Sequence, residues 1–341
     1  MAWSVTTWKI YGFPKVSLYL DKFVLKHATA HIHKRCPQFK KKMNYIKISK
    51  YIKKNYLKSM EDFEINNLQD IRNLHDELIK INVELIEKFR FSVMPHYRGE
   101  QNYGWDIFPG IFRPPFSKEI DLSQAREIEK KGAEIFKKKV IENFGEEQIF
   151  KHSKKPYGEN WDILFQAQHA GVKTNLIDFS TRSTLASFFM CEPSTEYDNE
   201  DGQLWGLLVP SEFIFNETSD YDKFLYPELN PFDLDKSFVC NIPTYIDDID
   251  ERTYQFRLFR QHGRLFASSN SDLEIPLNKK EFWKNMIFRV RVPAKAKKVI
   301  FEELIKVKVD SESMMITESE KADLMIANIN NQIKNCGQHR I

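Results

Sequence analysis

The stretch QAQHAGVKTNLIDFSTRSTLASFF, residues 166–189, decides the fold because it predicts a helix end, a strand and a second helix in succession. A helix over residues 160–170 is expected to end at Gly171, since glycine readily adopts the left-handed conformation that closes a helix. The apolar run that follows, residues 173–179, is typical of a buried strand.

The end of this predicted strand carries more polar chemistry than a structural turn requires. Asp178 stands within the apolar run, and Ser180 or Thr181 is expected to cap a helix that continues through Met190. A buried strand does not need an acid at its end, and one cap does not need several hydroxyl groups. We therefore expect a functional site where this strand ends.

Similar patterns on both sides of this stretch predict the rest of the fold. Further helices are predicted over residues 45–60, 59–90, 124–143, 294–305 and 318–333. Further strands are predicted over residues 91–100, 203–209, 263–268 and 286–292. Residues 215–250 are expected to form a long surface excursion, and residues 252–260 a helix or 3₁₀ turn. This mixture of separated strands and helices predicts an α+β fold with a twisted, largely antiparallel sheet.

Changes in pattern divide the chain into four predicted segments. They are a basic extension (1–42), a helical N-terminal segment (43–90), an α+β domain (91–310) and a C-terminal helix (311–341). Residues 1–42 lack clear periodicity and Met43 opens a helical pattern, so translation starting at Met1 and translation starting at Met43 both fit the sequence.

Charge is distributed unevenly along the chain. Residues 1–60 contain fourteen Lys and Arg residues and one acid, Asp21, whereas residues 61–341 contain 37 Lys and Arg residues and 47 acids. A basic arm of this kind can attract nucleic acid or an acidic partner, and a solvated lysine-rich helix explains it equally well.

The composition favours a cytoplasmic protein without a membrane partner. The charged fraction is 29%, and no apolar run approaches the roughly 20 residues of a bilayer-spanning helix. The first residues lack the pattern of a secretory signal. The four cysteines lie far apart without a CxxC pair, which argues against a disulfide framework or a zinc site. His27 and His31 are four residues apart in HATAHIHK, but we predict no metal site.

Four motifs resemble those of the FRG domain family. HYRGE (96–100) and WDIFPGIFR (105–113) resemble its Arg-Gly signature and the aromatic, Pro-rich segment that ends in Phe-Arg. QHAGVKTNLIDFSTRSTLASFF (168–189) resembles its His-Tyr-Gly, Thr-Arg-Leu-Leu-Asp-Trp-Thr and Ala-x-x-Phe pattern. RLFRQHGRLF (257–266) resembles Arg-x-x-x-Gln-x-Gly-x-Phe. The order and spacing agree over residues 91–310.

The chain departs from the family pattern at a few positions. Ala170 stands where Tyr is usual, Asn175 where Arg is usual and Phe179 where Trp is usual, and one additional residue separates Gly263 from Phe266. The change at Asn175 is expected to remove a cation from the predicted cleft.

The order of these elements is also similar to the Arg–Ser–Glu branch of the ADP-ribosyltransferases. Arg98 matches the first element of that branch. Asp178, Ser180 and Thr181 fall at the second element, and Gln261 falls at the third. The resemblance implies an ADP-ribosyltransferase-like arrangement of the sheet, with NAD as the substrate.

This resemblance implies a role for each matching residue. Arg98 would grip phosphate oxygens with its planar guanidinium, and Gly99 would let the ligand approach the backbone. Asp178 would hold ribose hydroxyls or stabilise the charge that develops as nicotinamide leaves, and His169 would act as a hydrogen-bonding or acid–base group.

The predicted site therefore has a catalytic and a cofactor-binding part. The predicted catalytic residues are Arg98, Asp178, Gln261 and His169. The predicted cofactor-binding residues are Tyr97, Arg98, Gly99, Thr174, Ser180 and Thr181. Because Gln261 can only orient and cannot act as a base, Asp178 or Glu100 would have to supply the negative charge.

Structural roles are an alternative for the same residues. Arg98 and Asp178 could form a buried bridge between strands, His169 could bond a carbonyl at a helix end, and Gln261 could satisfy backbone groups. The two hydroxyl residues after Asp178 could be ordinary helix caps. The nearby aromatic residues are expected in the core more often than on a stacking surface: Tyr97, Trp105, Phe108, Phe112 and Phe179.

The resemblance favours one function and leaves two alternatives open. The favoured one is an NAD-dependent ADP-ribosyltransferase-like toxin or effector of bacterial conflict or phage defence. It would modify a macromolecule (RNA, DNA or protein) and would be restrained by an inhibitory antitoxin protein. The first alternative is a non-catalytic module of a defence complex that binds a nucleotide or another ligand in the same cleft. The second is a purely interacting defence component, in which Arg98 and Asp178 are a structural pair.

Overall fold

The computed structural model describes residues 45–113, 121–144, 159–216, 230–241, 261–311, 313–314 and 327–332. Apart from Tyr45, these residues fall in one compact unit, Ile46–Ile341. The predicted basic extension, the predicted helix or turn at 252–260 and most of the helix predicted at 318–333 lie outside the described residues.

A sheet forms the centre of the fold. Its strands are β1 (Val93–Glu100), β2 (Leu176–Ser180), β3 (Gly202–Pro210), β4 (Ile214–Asn216), β5 (Phe238–Asn241), β6 (Gly263–Ala267) and β7 (Ile287–Val292). The strand order is β4-β5-β6-β2-β1-β3-β7, and every adjacent pair is antiparallel except β4 with β5. The structure therefore confirms the predicted α+β class and the largely antiparallel sheet.

Helices flank this sheet. Within the described ranges they include α1 (Tyr45–Ile52), α2 (Leu68–Phe89), α3 (Leu122–Phe144), α4 (Glu159–His169), α5 (Ser183–Cys191) and α6 (Ala294–Lys306). A π-helical turn, Lys53–Leu57, follows α1 and leads into a last helical turn that ends at Met60. None of the helices in these ranges has both the length and the apolar composition that a bilayer crossing requires.

The long helix α2 begins later than its sequence pattern suggested. The pattern predicted a start at residue 59, but the helix starts at Leu68 because Asn67 is its N-cap and accepts the Asp70 N–H at 3.0 Å. The preceding Glu64 forms an isolated bridge with Arg291 of β7, which keeps this segment extended. The sequence pattern places seven apolar residues on one face of this helix, and Ile86 among them is half-buried. The other six are buried: Leu68, Ile71, Leu74, Leu78, Ile81 and Leu85.

Two further predictions about local structure are wrong. α5 starts at Ser183, and the N-cap position is held by Arg182, so neither Ser180 nor Thr181 caps that helix. The predicted surface excursion contains the buried strand β5, where Phe238 packs against an aromatic ring of α4. This strand was missed because its apolar run is only a few residues long and is embedded in a polar segment.

Helices α2 and α5 cover one face of β1. Tyr97 Oη lies 2.7 Å from His75 Nδ1 of α2, and a Cβ on Gly99 would lie 2.1 Å from the Ala186 carbonyl oxygen of α5. Since successive side chains of a strand point to opposite faces, Arg98 and Glu100 project from the other face of β1.

Candidate functional site

The two central strands separate at the predicted site. β1 and β2 pair at one position, Tyr97 opposite Ser180. Next to it, Arg98 Nη1 donates to the Asp178 carbonyl oxygen at 2.9 Å, and Arg98 Nε donates to Glu100 Oε1 at 2.9 Å. The guanidinium therefore joins the strands where their backbones no longer pair. Arg98 and Asp178 do come together, but through a carbonyl oxygen and not as the predicted carboxylate bridge.

Glu100 is the buried anion at the centre of this cluster. Its Oε2 accepts hydrogen bonds from Gln203 Nε2 at 2.9 Å and from Trp205 Nε1 at 3.1 Å. Its Oε1, already bound to Arg98, also lies 3.9 Å from Arg113 Nη2. Two guanidinium groups thus share one carboxylate oxygen.

The loop of the WDIFPGIFR motif brings Arg113 to this cluster. The Ile111 N–H donates to the Thr174 carbonyl oxygen at 3.0 Å, which fixes the loop beside the start of β2. Arg113 Nε donates to the Phe108 carbonyl oxygen at 2.9 Å, so the side chain is oriented from within its own loop. A Cβ on Gly110 would lie 3.7 Å from Lys173 Cδ, which places this lysine beside the same loop.

Asp178 contributes an exposed carboxylate beside these cations. Gln168 Nε2, near the end of α4, donates to Asp178 Oδ2 at 2.6 Å. Thr174 Oγ1 in turn donates to Gln168 Oε1 and accepts the Leu176 N–H. Thr174 is buried and reaches the site only through Gln168, so it orients the amide that holds Asp178.

Burial and a neighbouring positive charge lower the pKa values of two cations of the site, Arg113 and Lys173. Burial and, next, the positive charge of Arg98 lower the pKa of Arg113 to about 10, although Glu100 and Asp178 act in the opposite direction. Burial and then Arg113 lower the pKa of Lys173. Three cations therefore lie close enough to repel one another, and Arg113 stays protonated at neutral pH.

Tyr97 and Gly99 do not lie on the cleft face. Tyr97 is fully buried against α2, and its hydroxyl is bound to His75. Gly99 is required because the Ala186 carbonyl of α5 leaves no room for a side chain, not because a ligand approaches there. Side chains alternate between the two faces of β1, so Tyr97 and Gly99 face the helices and Arg98 faces the predicted site. The prediction that Tyr97 and Gly99 bind the cofactor is corrected on this ground.

Ser180, Thr181 and Gln261 hold backbone together at the other end of β2. Ser180 Oγ donates to the Gln261 carbonyl oxygen at 2.8 Å and accepts the Arg182 N–H at 3.1 Å. The Thr181 N–H donates to the carbonyl oxygen of residue 262 at 3.1 Å. The Gln261 side chain donates to the Met314 carbonyl oxygen at 2.8 Å. The Gln261 contact matches the alternative in which this side chain satisfies a backbone group, whereas Ser180 and Thr181 bind backbone groups without capping α5. None of these contacts brings Gln261 to the Arg98 guanidinium.

His169 is the last residue of α4 and is partly buried. It follows Gln168, which holds Asp178, and precedes the turn in which Gly171 adopts a φ of 94°. Its position therefore agrees with a residue that closes a helix, and an acid–base role stays a prediction.

Asn175 does not line the cleft, which corrects the expectation that it removes a cation there. It is buried, and its N–H and side-chain amide donate to Glu129 of α3 at 2.7 and 2.9 Å. Arg126 Nη1 binds the same carboxylate at 2.9 Å and supplies the cation of this pair. Burial raises the pKa of Glu129 to about 7, against the opposing effects of Arg126 and Asn175.

The aromatic residues near the motifs divide into two groups. Tyr97, Phe112 and Phe179 are buried, and Phe108 is partly buried against the core. Trp105 differs, because 41% of it is exposed.

Three cleft residues were missed although each stands inside a quoted motif. Arg113 ends the aromatic and Pro-rich motif, Gln168 begins the next motif, and Lys173 lies five residues after Gln168. A search for cations inside the motifs would have found Arg113 and Lys173. The role of Gln168 depends on packing between α4 and β2, which no sequence pattern encodes.

The comparisons with known proteins agree with the motif-based resemblance. Residues 94–199 match the FRG domain family model. The matched segment contains the converging side chains of the cleft: Arg98, Glu100, Arg113, Gln168, Lys173, Thr174 and Asp178. Among the described residues, no group of three or more His, Cys, Asp or Glu side chains is arranged to hold a metal ion. No curated protein and no solved structure matches the chain. The chain thus carries an FRG domain, and the matched segment runs from β1 to just before β3.

Proposed function

We propose that the FRG domain binds a nucleotide with a pyrophosphate group, such as NAD, in the gap between β1 and β2. Arg98, Arg113 and Lys173 would hold the phosphates. The observation that carries the proposal is the convergence of cations from separate segments: Arg98 and Arg113 share the buried Glu100 carboxylate, and the charge of Arg113 acts on Lys173. Binding without turnover is the function that this geometry supports best.

The hydrogen bonds leave part of each cation available to a ligand. Arg98 uses Nε and Nη1, and among the described residues Nη2 makes no hydrogen bond. Lys173 Nζ likewise makes no hydrogen bond to any residue that the structure describes. A phosphate accepts bidentate bonds from guanidinium groups. Burial is the main cause of the lowered pKa values of Arg113 and Lys173, and a bound phosphate would offset the smaller effect of the neighbouring positive charges.

Asp178 extends the site toward a sugar. Its carboxylate is exposed and fixed by Gln168, so it can accept hydrogen bonds from ribose hydroxyls next to the phosphates. A phosphate group alone gains nothing from this acid. The two adjacent hydroxyl groups of a ribose can each donate one hydrogen bond to this carboxylate, and we therefore expect a nucleotide to bind more tightly than pyrophosphate.

Calorimetric titration with NAD, ADP-ribose and pyrophosphate tests this proposal. We expect all three to bind, and we expect Arg98→Gln to weaken each at least tenfold, since it removes a charge-assisted contact of about 1.5–3 kcal/mol. Arg72→Gln, which changes an exposed arginine of α2, is the matched control and should leave binding unchanged. If none of the three ligands binds the unchanged protein, the nucleotide-binding proposal is wrong.

A second candidate is the transfer of ADP-ribose to a macromolecule. It is favoured by the exposed Asp178 carboxylate beside Arg98, which supplies the acid that Gln261 cannot provide. In this reaction the bond from ribose C1′ to nicotinamide breaks, and nicotinamide leaves with the bonding electrons. A bond from C1′ to the acceptor nucleophile forms, and the proton of the acceptor passes to Asp178.

This candidate includes the finer expectations of the resemblance. They are an ADP-ribosyltransferase-like arrangement of the sheet, a cytoplasmic toxin of bacterial conflict, an RNA, DNA or protein acceptor, and an inhibitory antitoxin protein. The bonds of Ser180, Thr181 and Gln261 to backbone groups do not favour it, because those residues would have to line the nicotinamide pocket.

Incubation with NAD labelled in its adenylate part distinguishes the two candidates. Transferase activity predicts that the label appears on RNA, DNA or lysate protein with the unchanged chain and not with Asp178→Asn. If NAD binds but the label stays in the small-molecule fraction and no nicotinamide is released, the protein is a binding module. Release of nicotinamide without transfer would indicate hydrolysis of NAD.

A further inference from the structure

We infer that the exposed indole of Trp105 is a stacking surface for the nucleobase of the bound nucleotide. The inference rests on the proposed nucleotide-binding function and adds a second part to the same site. It concerns Trp105 because, among the described aromatic residues of the four motifs, this one is exposed.

The indole is held in a defined orientation. The Tyr197 ring lies 5.0 Å from it, centroid to centroid, at an interplanar angle of 80°, so the two rings pack edge to face. The Trp105 carbonyl oxygen accepts Gln203 Nε2 at 2.7 Å, which fixes the backbone below the ring. With 41% of the residue exposed, the ring is oriented but not covered. A pre-oriented aromatic surface loses little conformational entropy when a flat ligand stacks on it.

A hydrogen-bonded chain connects Trp105 to the cations. Gln203 Nε2 donates both to the Trp105 carbonyl and to Glu100 Oε2, and Glu100 binds Arg98. Arg98 and Glu100 are two residues apart on β1, and Gln203 lies opposite Glu100 on β3. Each step along an extended strand covers about 3.3 Å and adjacent strands lie about 4.8 Å apart, so the backbones of Arg98 and Gln203 are on the order of 8 Å apart. This separation suits a nucleobase whose phosphates are joined to it through a ribose.

The buried amide of Gln203 fixes the Trp105 backbone relative to the cation cluster. Gln203 is fully buried, and its Nε2 faces two acceptors, the Glu100 carboxylate and the Trp105 carbonyl, so the amide cannot be turned around. The segment that carries the indole is therefore held by a rigid contact to Glu100.

The charges at the two ends of the site suit the two ends of a nucleotide. The phosphate end carries Arg98, Arg113 and Lys173. The Trp105 end adjoins the loop that contains Tyr197 and four acids: Glu196, Asp198, Glu200 and Asp201. Arg291 pairs with Asp201 and Lys297 Nζ donates to the Tyr197 carbonyl oxygen, so charges of both signs meet at this loop. The excess of positive charge therefore lies at the phosphate end.

Calorimetry with two probes separates the base contact from the phosphate contact. We expect Trp105→Ala to raise the Kd for ADP-ribose by about 5- to 150-fold, the range found for loss of a base–aromatic stack, and to leave the Kd for pyrophosphate within about twofold. Trp105→Phe should keep most of the ADP-ribose affinity. Phe63→Ala, which removes an exposed aromatic ring just before α2, is the matched control and should change neither Kd.

Each outcome decides between the two proposals. Suppose that the unchanged protein binds both probes and that Trp105→Ala binds ADP-ribose as tightly as the unchanged protein. The inference that Trp105 stacks on the base is then wrong, and the proposed phosphate site stands. If pyrophosphate binding is lost together with ADP-ribose binding while Trp105→Phe behaves like Trp105→Ala, the residue acts on the fold and the inference is wrong. If the unchanged protein binds neither probe, both proposals fail.

Discussion

The FRG domain contains two arginine–glutamate clusters with different surroundings. Arg126 uses all three guanidinium nitrogens, and its partners are Glu129, Asn270 and two backbone carbonyl oxygens. Arg98 leaves Nη2 without a hydrogen bond among the described residues, and it shares Glu100 with a second arginine. Every guanidinium nitrogen of the Arg126 cluster is hydrogen-bonded within the protein. The Arg98 cluster has more positive charge than Glu100 can balance.

The number of unused hydrogen-bond donors distinguishes a structural ion pair from a ligand site more clearly than the residue types do. A buried ion pair that is fully hydrogen-bonded resists change, because removing one partner leaves an unpaired charge. A cluster with excess charge and available donors becomes more stable when an anion binds. A cavity of about 610 Å³ beside Arg126, lined in part by Asp121, Phe232 and Asn270, provides a rival location at which to test this distinction.

Glu129→Ala should have the largest effect on folding. It leaves Arg126 and the Asn175 amide buried without their shared acceptor, so we expect the free energy of unfolding to fall by about 3–5 kcal/mol. Urea denaturation measures this change, with the exposed Glu134→Ala of the same helix as the control. A loss below about 1 kcal/mol would mean that the Arg126 cluster is not structural.

Gly99→Ala should come next, because the new Cβ would lie 2.1 Å from the Ala186 carbonyl oxygen. We expect a loss of about 3 kcal/mol of unfolding free energy, since α5 must move away from β1. Gly104→Ala, a glycine outside the strands, is the matched control. If Gly99→Ala unfolds like the unchanged protein but no longer binds ADP-ribose, then Gly99 faces the cleft and our assignment of the two faces of β1 is wrong.

His96 lies on the same face of β1 as Arg98, and its titration should make the free energy of unfolding depend on pH. Burial, and next the Arg264 charge, lower the pKa of His96 to about 3, and the Met94 carbonyl acts in the opposite direction. The unfolded chain takes up this proton near pH 6.5, so the stability contributed by neutral His96 is full above that pH and is lost as the pH falls toward 3.

Replacing this histidine tests the direction of that effect. Between pH 6 and 4, the unfolding free energy of His96→Gln should fall less steeply than that of the unchanged protein, by up to about 1.4 kcal/mol per pH unit. Urea denaturation at several pH values measures both slopes. Parallel slopes would show that His96 takes up its proton equally well in both states.

Arg98→Gln should have the smallest effect on folding and a large effect on binding. Arg113 remains near Glu100, and the removal of one cation relieves repulsion, so we expect the unfolding free energy to change by about 1 kcal/mol or less. Thermal denaturation with and without pyrophosphate measures both properties, since only a protein that binds the anion gains stability from it. If Arg98→Gln lowers the free energy of unfolding as much as Glu129→Ala does, then Arg98 has a structural role and is not a ligand-binding residue.

The sequence predicts the elements of the domain better than it predicts their contacts. The helix end at Gly171, the apolar face of α2 and the largely antiparallel sheet follow from local patterns and are confirmed. The role of Gly99 could not be predicted, because it depends on the approach of a helix that starts more than eighty residues later. Family motifs placed Arg98 and Asp178 near one another but did not reveal that Glu100 and Arg113 complete the cluster. Asn175 shows the same limit, since its partner Glu129 belongs to a helix with no motif of its own.

A crystal structure of the protein with ADP-ribose bound tests the central claim most directly. The account predicts that the phosphate oxygens lie within hydrogen-bond distance, about 2.7–3.2 Å, of the Arg98 and Arg113 guanidinium groups, with the adenine against Trp105. ADP-ribose bound in the cavity beside Arg126 instead, or an Arg98 guanidinium that makes no contact with the ligand, would contradict it.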